Sequence, residues 1–418
     1  MSKECQMRLR TIALFCMINC LQFASATPVD ELRLGKNEGY PLGTRLNHSQ
    51  DKYRVGSYTS WEKLHWTGLV KAAGTPSPLN TKIDPAFDWT YQSKDGQTYG
   101  YKGYLERNQT SGIIVLRNQT VVREDYQYDR GPRDRFISMS MGKTLTALAT
   151  GAAVADGSIR SIDDTVQTYI PAVSGLPYGS RTIRSLLQMS SGMHQKSNDQ
   201  TGGGTVIRLG GDELPAATPA GALGLAKNSA YSKEFAKQNT VFVYANSDSQ
   251  MLGYVVAAAT GKPLHEYFSE KIWKPLGAED NATWGVDMGR EVRGDGNFSA
   301  RLRDWARLGG MLANNGAWNG VRILPESWIL EMTTTKKAYP FLNPGAEAYL
   351  GYGYQTWLFP EKRRFALLGS NGQGVFIDPE SKTVLVMTGV WDQEVDPKLK
   401  GPDRVAFWVS LINKVSRW

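Results

Sequence analysis

Ser140 and Lys143 stand one helical turn apart in the segment Phe136-Ile137-Ser138-Met139-Ser140-Met141-Gly142-Lys143. That spacing sets a hydroxyl and an amine side by side on one helical face. The closeness has a chemical use, because a serine hydroxyl is a weak nucleophile until a neighbouring base takes its proton. A lysine, with an ordinary pKa of about 10.4, serves as that base at neutral pH only if burial and the positive end of a helix pull it down. The pattern alone is common: Ser49-Gln50-Asp51-Lys52 and Ser60-Trp61-Glu62-Lys63 share it, with no clear helical pattern behind them. Two further segments narrow the choice. Of the 19 tyrosines only Tyr244 is followed two positions later by asparagine, in Tyr244-Ala245-Asn246, just ahead of a helical stretch. Gly369-Ser370-Asn371-Gly372-Gln373 falls between two strand patterns, where glycines let a strand edge approach a substrate and leave a backbone N–H free for an oxyanion. Taken singly, these are a buried tyrosine beside a capping asparagine and an ordinary β-turn. In this order and context, the three plain readings together account poorly for the segments.

Other chemistries fit less well. His48, His65, His194 and His265 are scattered, and His265-Glu266 lacks the second histidine of a zinc-binding helix. No Gly-x-Ser-x-Gly nucleophile elbow occurs. Gly142-Lys143-Thr144 resembles the end of a phosphate-binding loop, but Ile137 stands where that loop needs its first glycine. No metal and no cofactor are expected.

The chain has 418 residues, 41% of them hydrophobic and 21% charged, with a formal charge of +8. This composition excludes a disordered chain, a disulfide-stapled miniprotein and a fibrous rod. Basic and acidic residues are interleaved without long like-charge runs, so nucleic acid is not an expected partner. The three cysteines, Cys5, Cys16 and Cys20, all lie in a segment that starts with Lys3, Arg8 and Arg10, continues through an apolar stretch and ends in Ala24-Ser25-Ala26. This is the layout of a secretory signal peptide, residues 1–26, and it predicts a periplasmic or secreted protein whose mature form has no cysteine. The apolar stretch is broken by Asn19 and Gln22 and falls short of the roughly 20 residues of a spanning helix, so no stable membrane anchor is predicted.

The elements that must position these residues follow from periodicity. Residues 27–87, rich in Gly, Pro, Ser and Thr, read as an irregular N-terminal extension. Ile113 to Leu116 and Thr120 to Val122 form a predicted hairpin about Arg117-Asn118-Gln119. Helices are predicted over Lys143–Ala155, Ile183–Met189, Ser247–Thr260, Pro263–Ile272, Ala300–Asn315 and Asp403–Val415. Strands return near Tyr352–Leu358, Phe365–Leu368, Gly374–Ile377 and Thr383–Thr388. Strands at both ends with helices between predict an α/β (α+β) domain, residues 88–157 and 298–418, split by a mostly helical domain, 158–297.

The nucleophile segment, Ile183-Arg184-Ser185-Leu186-Leu187-Gln188-Met189-Ser190-Ser191-Gly192, and Trp318-Asn319-Gly320-Val321-Arg322-Ile323-Leu324-Pro325 together resemble the β-lactamase-related serine hydrolases. That group includes class C β-lactamases, DD-peptidases, family VIII esterases and 6-aminohexanoate-dimer hydrolase. The resemblance implies an antiparallel sheet flanked by helices, a mostly helical domain and a cleft between them. It implies Ser140 as the acylated nucleophile, Lys143 as its base, Tyr244 as the proton relay to the leaving group, and Asn246 orienting Lys143 and the substrate carbonyl. The N–H groups of Ser140 and Ser370 would hold the oxyanion, within the Gly369-Ser370-Asn371 turn. Two departures bear on substrate. Where β-lactamases and DD-peptidases usually carry Lys-Thr-Gly or His-Thr-Gly, this chain has Leu367-Leu368-Gly369, with Arg363 or Arg364 as possible replacements for the lost cation. The loop after the Ser-Gly turn reads Met193-His194-Gln195-Lys196-Ser197-Asn198-Asp199, where relatives of the dimer hydrolase tend to carry acidic residues and a tyrosine. The expectation is an exported serine hydrolase of small esters or amides. The alternatives are a non-catalytic binding module on the same scaffold and a weak β-lactamase or DD-peptidase.

Overall fold

The runs of β-branched and aliphatic residues around Ile113 and Val384 have apolar side chains at successive positions, the mark of strands covered on both faces. In the computed structural model, described over residues 24, 29–193, 221–227, 233–287, 290–334, 342, 351–360, 362–391 and 397–416, they form the centre of a large sheet. Its main strands are β1 (Thr110–Arg117), β2 (Thr120–Tyr126), β3 (Phe365–Leu368), β4 (Gly374–Asp378) and β5 (Thr383–Gly389). Among the described residues the order is Gly351–Tyr352, Trp357–Leu358, β3, β4, β5, β1, β2, Asn80–Thr81. All neighbours are antiparallel except Asn80–Thr81, which runs parallel to β2. The β1–β2 turn places Asn118 and Gln119 at φ 44° and 63°, the left-handed conformation that suits a tight hairpin.

The helices that matter for the site are α1 (Gly142–Ala155), α2 (Asn246–Thr260), α3 (Leu302–Ala313) and α4 (Pro397–Val415). The strand period of two divides the sheet between two cores. Ile114, Leu116, Val384 and Val386 face α3 and the helical part of the molecule, in a core that also holds Leu145 and Leu148 of α1 and Leu252 and Val255 of α2. Ile113, Val115, Leu385 and Met387 face Phe407, Trp408, Leu411 and Ile412 of α4. α4 begins at Pro397, ahead of the predicted Asp403, and runs through Pro402.

A four-stranded antiparallel sheet, ordered Thr67–Val70, Ala282–Gly285, Phe298–Arg301, Arg135–Ile137, delivers the chain to the segment that carries Ser140. The N-terminal stretch contributes one of its strands and also a helix, Asp51–Tyr58, where the sequence suggests irregular chain. That helix escaped the pattern because its buried residues are Arg54, Val55, Gly56, Ser57 and Tyr58, with little aliphatic periodicity.

Of the predicted leader only residue 24 is described; its N–H donates to the Thr98 carbonyl at 3.0 Å. The three cysteines and residues 194–199 of the loop after the Ser-Gly turn lie outside the described residues. Among the described residues, no helix is long and apolar enough to cross a membrane, and no cluster of His, Cys, Asp or Glu could hold a metal.

Candidate active site

The strand Arg135–Ile137 ends in Ser138, whose N–H donates to the Phe298 carbonyl (2.6 Å) and whose hydroxyl accepts from the Phe298 N–H (2.9 Å). The chain then turns sharply. Met139 takes φ 45°, a left-handed conformation uncommon for a residue with a side chain, and a single 3-10 turn, Met139–Met141, presents Ser140 at the mouth of α1. Ser140 stays partly exposed while Lys143, one turn on, is 1% exposed. Lys143 Nζ lies 3.1 Å from Ser140 Oγ and donates to the Asp295 backbone carbonyl at 2.6 Å. Burial lowers its pKa to about 8, against the raising influence of the Asp295 carboxylate and assisted by Arg293. Arg293 holds that carboxylate through two nitrogens, at 3.1 and 3.0 Å. Burial would raise the Asp295 carboxyl, but the charges of Arg293 and Lys143 outweigh it and the pKa is lowered.

Segment 292–296 is a fixed strap across the start of α1. Gln250 donates to the Val292 carbonyl and accepts from the Gly294 N–H (2.9 and 3.0 Å), and the Thr146 hydroxyl donates to the Gly294 carbonyl at 2.7 Å. The two competing Ser-x-x-Lys segments differ in burial. Each runs into a short helix, contrary to the sequence pattern, but Lys52 is only half-buried and pairs with Glu38 at 2.7 Å, and Lys63 is exposed.

Tyr244 joins Ser140 and Lys143. Its ring lies 5.1 Å from Lys143 Nζ and stacks on Trp357 at 5.6 Å between centroids, with Tyr352 edge-on at 6.1 Å. Burial raises the phenol above its ordinary range, and an interaction with the Ser140 side chain draws it partly back. Asn246, 7% exposed, is the first residue of α2, which packs on α1.

The glycine-flanked turn arrives from β3. A Cβ on Gly369 would sit 2.4 Å from the Ser138 carbonyl oxygen and 3.1 Å from Met139 Cβ, so only glycine lets the strand end lie against the backbone leading to Ser140. Ser370 is exposed beside it, and Asn371 takes φ 62°. The turn is held from behind. Asn371 Nδ2 donates to the Trp391 carbonyl (3.0 Å), Trp391 N–H returns a bond to the Asn371 carbonyl (3.3 Å), and Arg404 Nη1 donates to the carbonyls of Gly369 (3.2 Å) and Gln373 (2.9 Å). Arg54, from the N-terminal helix, holds the carbonyls of Val390 and Trp391.

Arg363 and Arg364 do not replace the missing cation. They precede the first residue of β3, and the turn follows its last, a separation of roughly 13 Å along a four-residue strand. Arg363 donates to Thr333 and Asn315, and Arg364 pairs with Asp378 at 3.5 Å, both side chains buried. Leu367 is 0% exposed and belongs to the core.

Thus Ser140, Lys143 and Tyr244 form one contact group, the Gly369–Asn371 turn abuts the segment that carries Ser140, and Asn246 starts the helix packed on α1. Sequence reasoning missed Arg293, Asp295, Trp391, Arg404 and Arg54. Arg293 acts through Asp295, two positions on; the others reach the site through partners far away in the chain, and most of these contacts are to backbone carbonyls, which leave no signature in residue type.

Similarity to known proteins bears on the fold and the family. The 6-aminohexanoate-dimer hydrolase of Paenarthrobacter ureafaciens is 25% identical over 302 residues, 69% of this chain and 74% of the relative. A Bacillus anthracis structure provisionally named a 6-aminohexanoate-dimer hydrolase superposes with a TM-score of 0.73 at 24% identity, covering 94% of this chain and 100% of that one. EstCE1, described as a hydrolase with promiscuous acyltransferase activity, gives a TM-score of 0.54 at 18% identity, with 73% and 96% covered. The fold is therefore that of the β-lactamases and transpeptidases. The family model described as Beta-lactamase matches residues 104–404, which span Ser140, Lys143, Tyr244, Asn246 and the Gly369–Asn371 turn, and the chain belongs to that family of serine hydrolases.

Proposed function

We propose that this protein is an exported hydrolase of small, uncharged esters or amides that works through an acyl-enzyme on Ser140. The observation that carries the reading is the buried Lys143 amine, 3.1 Å from the Ser140 hydroxyl, with a pKa lowered to about 8. In its neutral form Lys143 takes the Ser140 proton as Oγ attacks the substrate carbonyl carbon. The N–H groups of Ser140 and Ser370 receive the oxyanion, and Asn246 orients the carbonyl. As the intermediate collapses, the bond to the leaving alcohol or amine breaks. That group is protonated through Tyr244, whose raised pKa keeps it a phenol that can hand on a proton. Water then attacks the acyl carbon, releases the acid and returns Ser140 to its hydroxyl form.

The substrate class follows from what the late strand lacks. With Leu367 in the core and Arg363 and Arg364 engaged elsewhere, no cation of that strand reaches the turn to hold a carboxylate. The P. ureafaciens relative brings short linear amides into the candidate set, and the EstCE1 likeness brings esters.

Hydrolysis of p-nitrophenyl acetate and butyrate, a panel of short amides and nitrocefin, together with fluorophosphonate labelling, tests the proposal on wild type and Ser140→Ala. The expected result is turnover of a neutral ester or amide and labelling of the wild type, both lost in the variant. Labelling or turnover that survives the substitution overturns the assignment of Ser140. Nitrocefin turnover as fast as that of the esters overturns the substrate class. Export predicts that the protein recovered from the periplasm or medium begins at Thr27; a cell-associated chain that retains residues 1–26 contradicts it.

A further inference from the structure

The peptide unit that joins Gly369 to Ser370 has its two ends in different surroundings. Its N–H is the donor assigned above to the oxyanion, and its carbonyl accepts from Arg404 Nη1 at 3.2 Å. The same nitrogen donates to the Gln373 carbonyl at 2.9 Å, and the Gly369 N–H donates to that carbonyl at 3.0 Å. One guanidinium nitrogen thus ties together the two ends of the turn. A trans peptide is planar, with C=O and N–H pointing in opposite directions, so fixing the carbonyl toward Arg404 fixes the Ser370 N–H toward the opposite side. A carbonyl that accepts from a cation is also polarised, and the N–H across the same peptide bond becomes a stronger donor.

The placement of Arg404 is built in. Its neighbour Asp403, 1% exposed, accepts from Ser93 Oγ (2.6 Å), Tyr91 OH (3.3 Å) and Arg107 Nε (2.9 Å), which sets the rotation of α4 on the sheet. Arg404 itself is 8% exposed, with its guanidinium carbon 5.3 Å from the Trp391 ring centre and 6.0 Å from that of Phe376. Trp391 in turn is bonded both ways to Asn371 in the turn. The bonds Arg404 makes among the described residues, both from Nη1, go to carbonyls of this one turn, and no ion pair joins it to a carboxylate there.

We infer that Arg404 is a positioning residue of the oxyanion site, orienting and polarising the Gly369–Ser370 peptide from behind so that its N–H is ready for the tetrahedral intermediate. The inference rests on the acyl-enzyme reading above. It separates the cation of this strand end from substrate recognition and gives it to transition-state stabilisation.

The test compares wild type, Arg404→Met and Arg404→Lys in p-nitrophenyl butyrate hydrolysis and in inhibition by phenylboronic acid, which forms a tetrahedral adduct on the serine. Removing an oxyanion donor outright costs about a hundredfold or more, and loosening it should cost somewhat less. For Arg404→Met the expected result is a fall of about tenfold to a hundredfold in kcat. Phenylboronic acid should weaken in parallel and KM should move by less than about twofold, because the ground-state carbonyl makes little use of the donor. Arg404→Lys keeps the charge but loses the planar fork, and should recover part of both losses. If the methionine variant does not fold, the lysine variant decides, with a loss of roughly threefold or more in kcat and boronate affinity at unchanged KM. A folded variant that keeps wild-type kcat and boronate affinity, or that loses activity through KM alone, overturns the inference while Ser140 labelling still stands. A wild type that no probe acylates overturns the acyl-enzyme reading, and this inference with it.

Discussion

The two edges of the cleft treat positive charge in opposite ways. At the nucleophile edge a lysine points into the site with its charge weakened: Lys143 is buried, its pKa is lowered to about 8, and its amine touches Ser140. At the late-strand edge the positions of the expected cation hold Leu367 and Leu368, Leu367 buried in the core, and the cation, Arg404, sits behind the turn with one guanidinium nitrogen, Nη1, on two backbone carbonyls. A charge in front of a strand selects substrates of opposite charge, whereas a charge behind it acts only through the peptide it polarises. On the acyl-enzyme reading proposed above, the difference teaches that the parts which would form the acyl-enzyme and the parts which would choose a substrate are carried by separate elements.

The sharpest way to break the comparison is at the nucleophile edge. Lys143→Met keeps length and apolar bulk but removes the base. General-base loss typically costs about 10² to 10⁴, and acylation by fluorophosphonate or p-nitrophenyl butyrate should fall within that range. In the wild type the rate should climb with pH up to about 8, as the ammonium gives up its proton, and then level off; the methionine variant should lose that inflection. A variant with the wild-type pH profile would show that another group is the base. At the other edge, Gly369→Ala places a Cβ where the Ser138 oxygen already sits 2.4 Å away, so the turn must withdraw from the nucleophile. A displacement of about 1 Å is worth on the order of a hundredfold, and the loss should appear in kcat with the fold intact by circular dichroism.

Those two residues were legible in the sequence for the same reason. A Ser-x-x-Lys turn and a glycine flanked by strands are local patterns, in which spacing or residue type states the geometry directly. The central hairpin was legible too, since its alternation serves two cores at once. What stayed hidden depends on long closures of the chain. Lys143 meets the carbonyl of Asp295, 152 positions on, and Arg54 meets that of Trp391, 337 positions on. An arginine that will be buried against a carbonyl reads in sequence like any solvated charge. The N-terminal helix was hidden because it buries Arg54, Gly56 and Ser57 where a pattern reader looks for leucine.

The Arg293–Asp295 pair refines the nucleophile edge by a smaller effect. Asp295→Asn leaves the backbone carbonyl that accepts from Lys143 but removes the negative charge that favours the ammonium. It also leaves the Arg293 charge uncompensated nearby. Both changes lower the Lys143 pKa further, so the inflection in the pH–rate profile should move to lower pH. Arg293→Met does the reverse, leaving Asp295 to stabilise the ammonium, and the inflection should move to higher pH. Shifts of both variants in one direction would remove the pair from the account of Lys143.

A second carboxylate completes the contrast and gives the smallest expected effect. Asp295 is buried beside cations and its pKa is lowered, whereas Asp248, two residues into α2 beyond Asn246, is buried with hydroxyl groups rather than a guanidinium on its carboxylate. Asp248 accepts from Ser191 Oγ at 2.7 Å and Tyr178 OH at 3.2 Å. Burial raises its pKa to about 7, against the lowering influence of those two hydroxyls and of Arg181. The folded pKa therefore lies above the unfolded one, near 3.9, and the unfolded chain releases the proton first. Stability linked to this group is fully present below about pH 4 and is lost as the pH rises toward 7. Asp248→Asn keeps an oxygen acceptor for Ser191 and Tyr178 without the charge. Thermal unfolding followed at pH 4, 5.5 and 7 should show the variant gaining on the wild type by a few degrees as the pH rises, with activity little changed. A gap that is constant with pH would show that Asp248 remains charged in the folded protein, and the dominance of burial at this end of α2 would then be wrong.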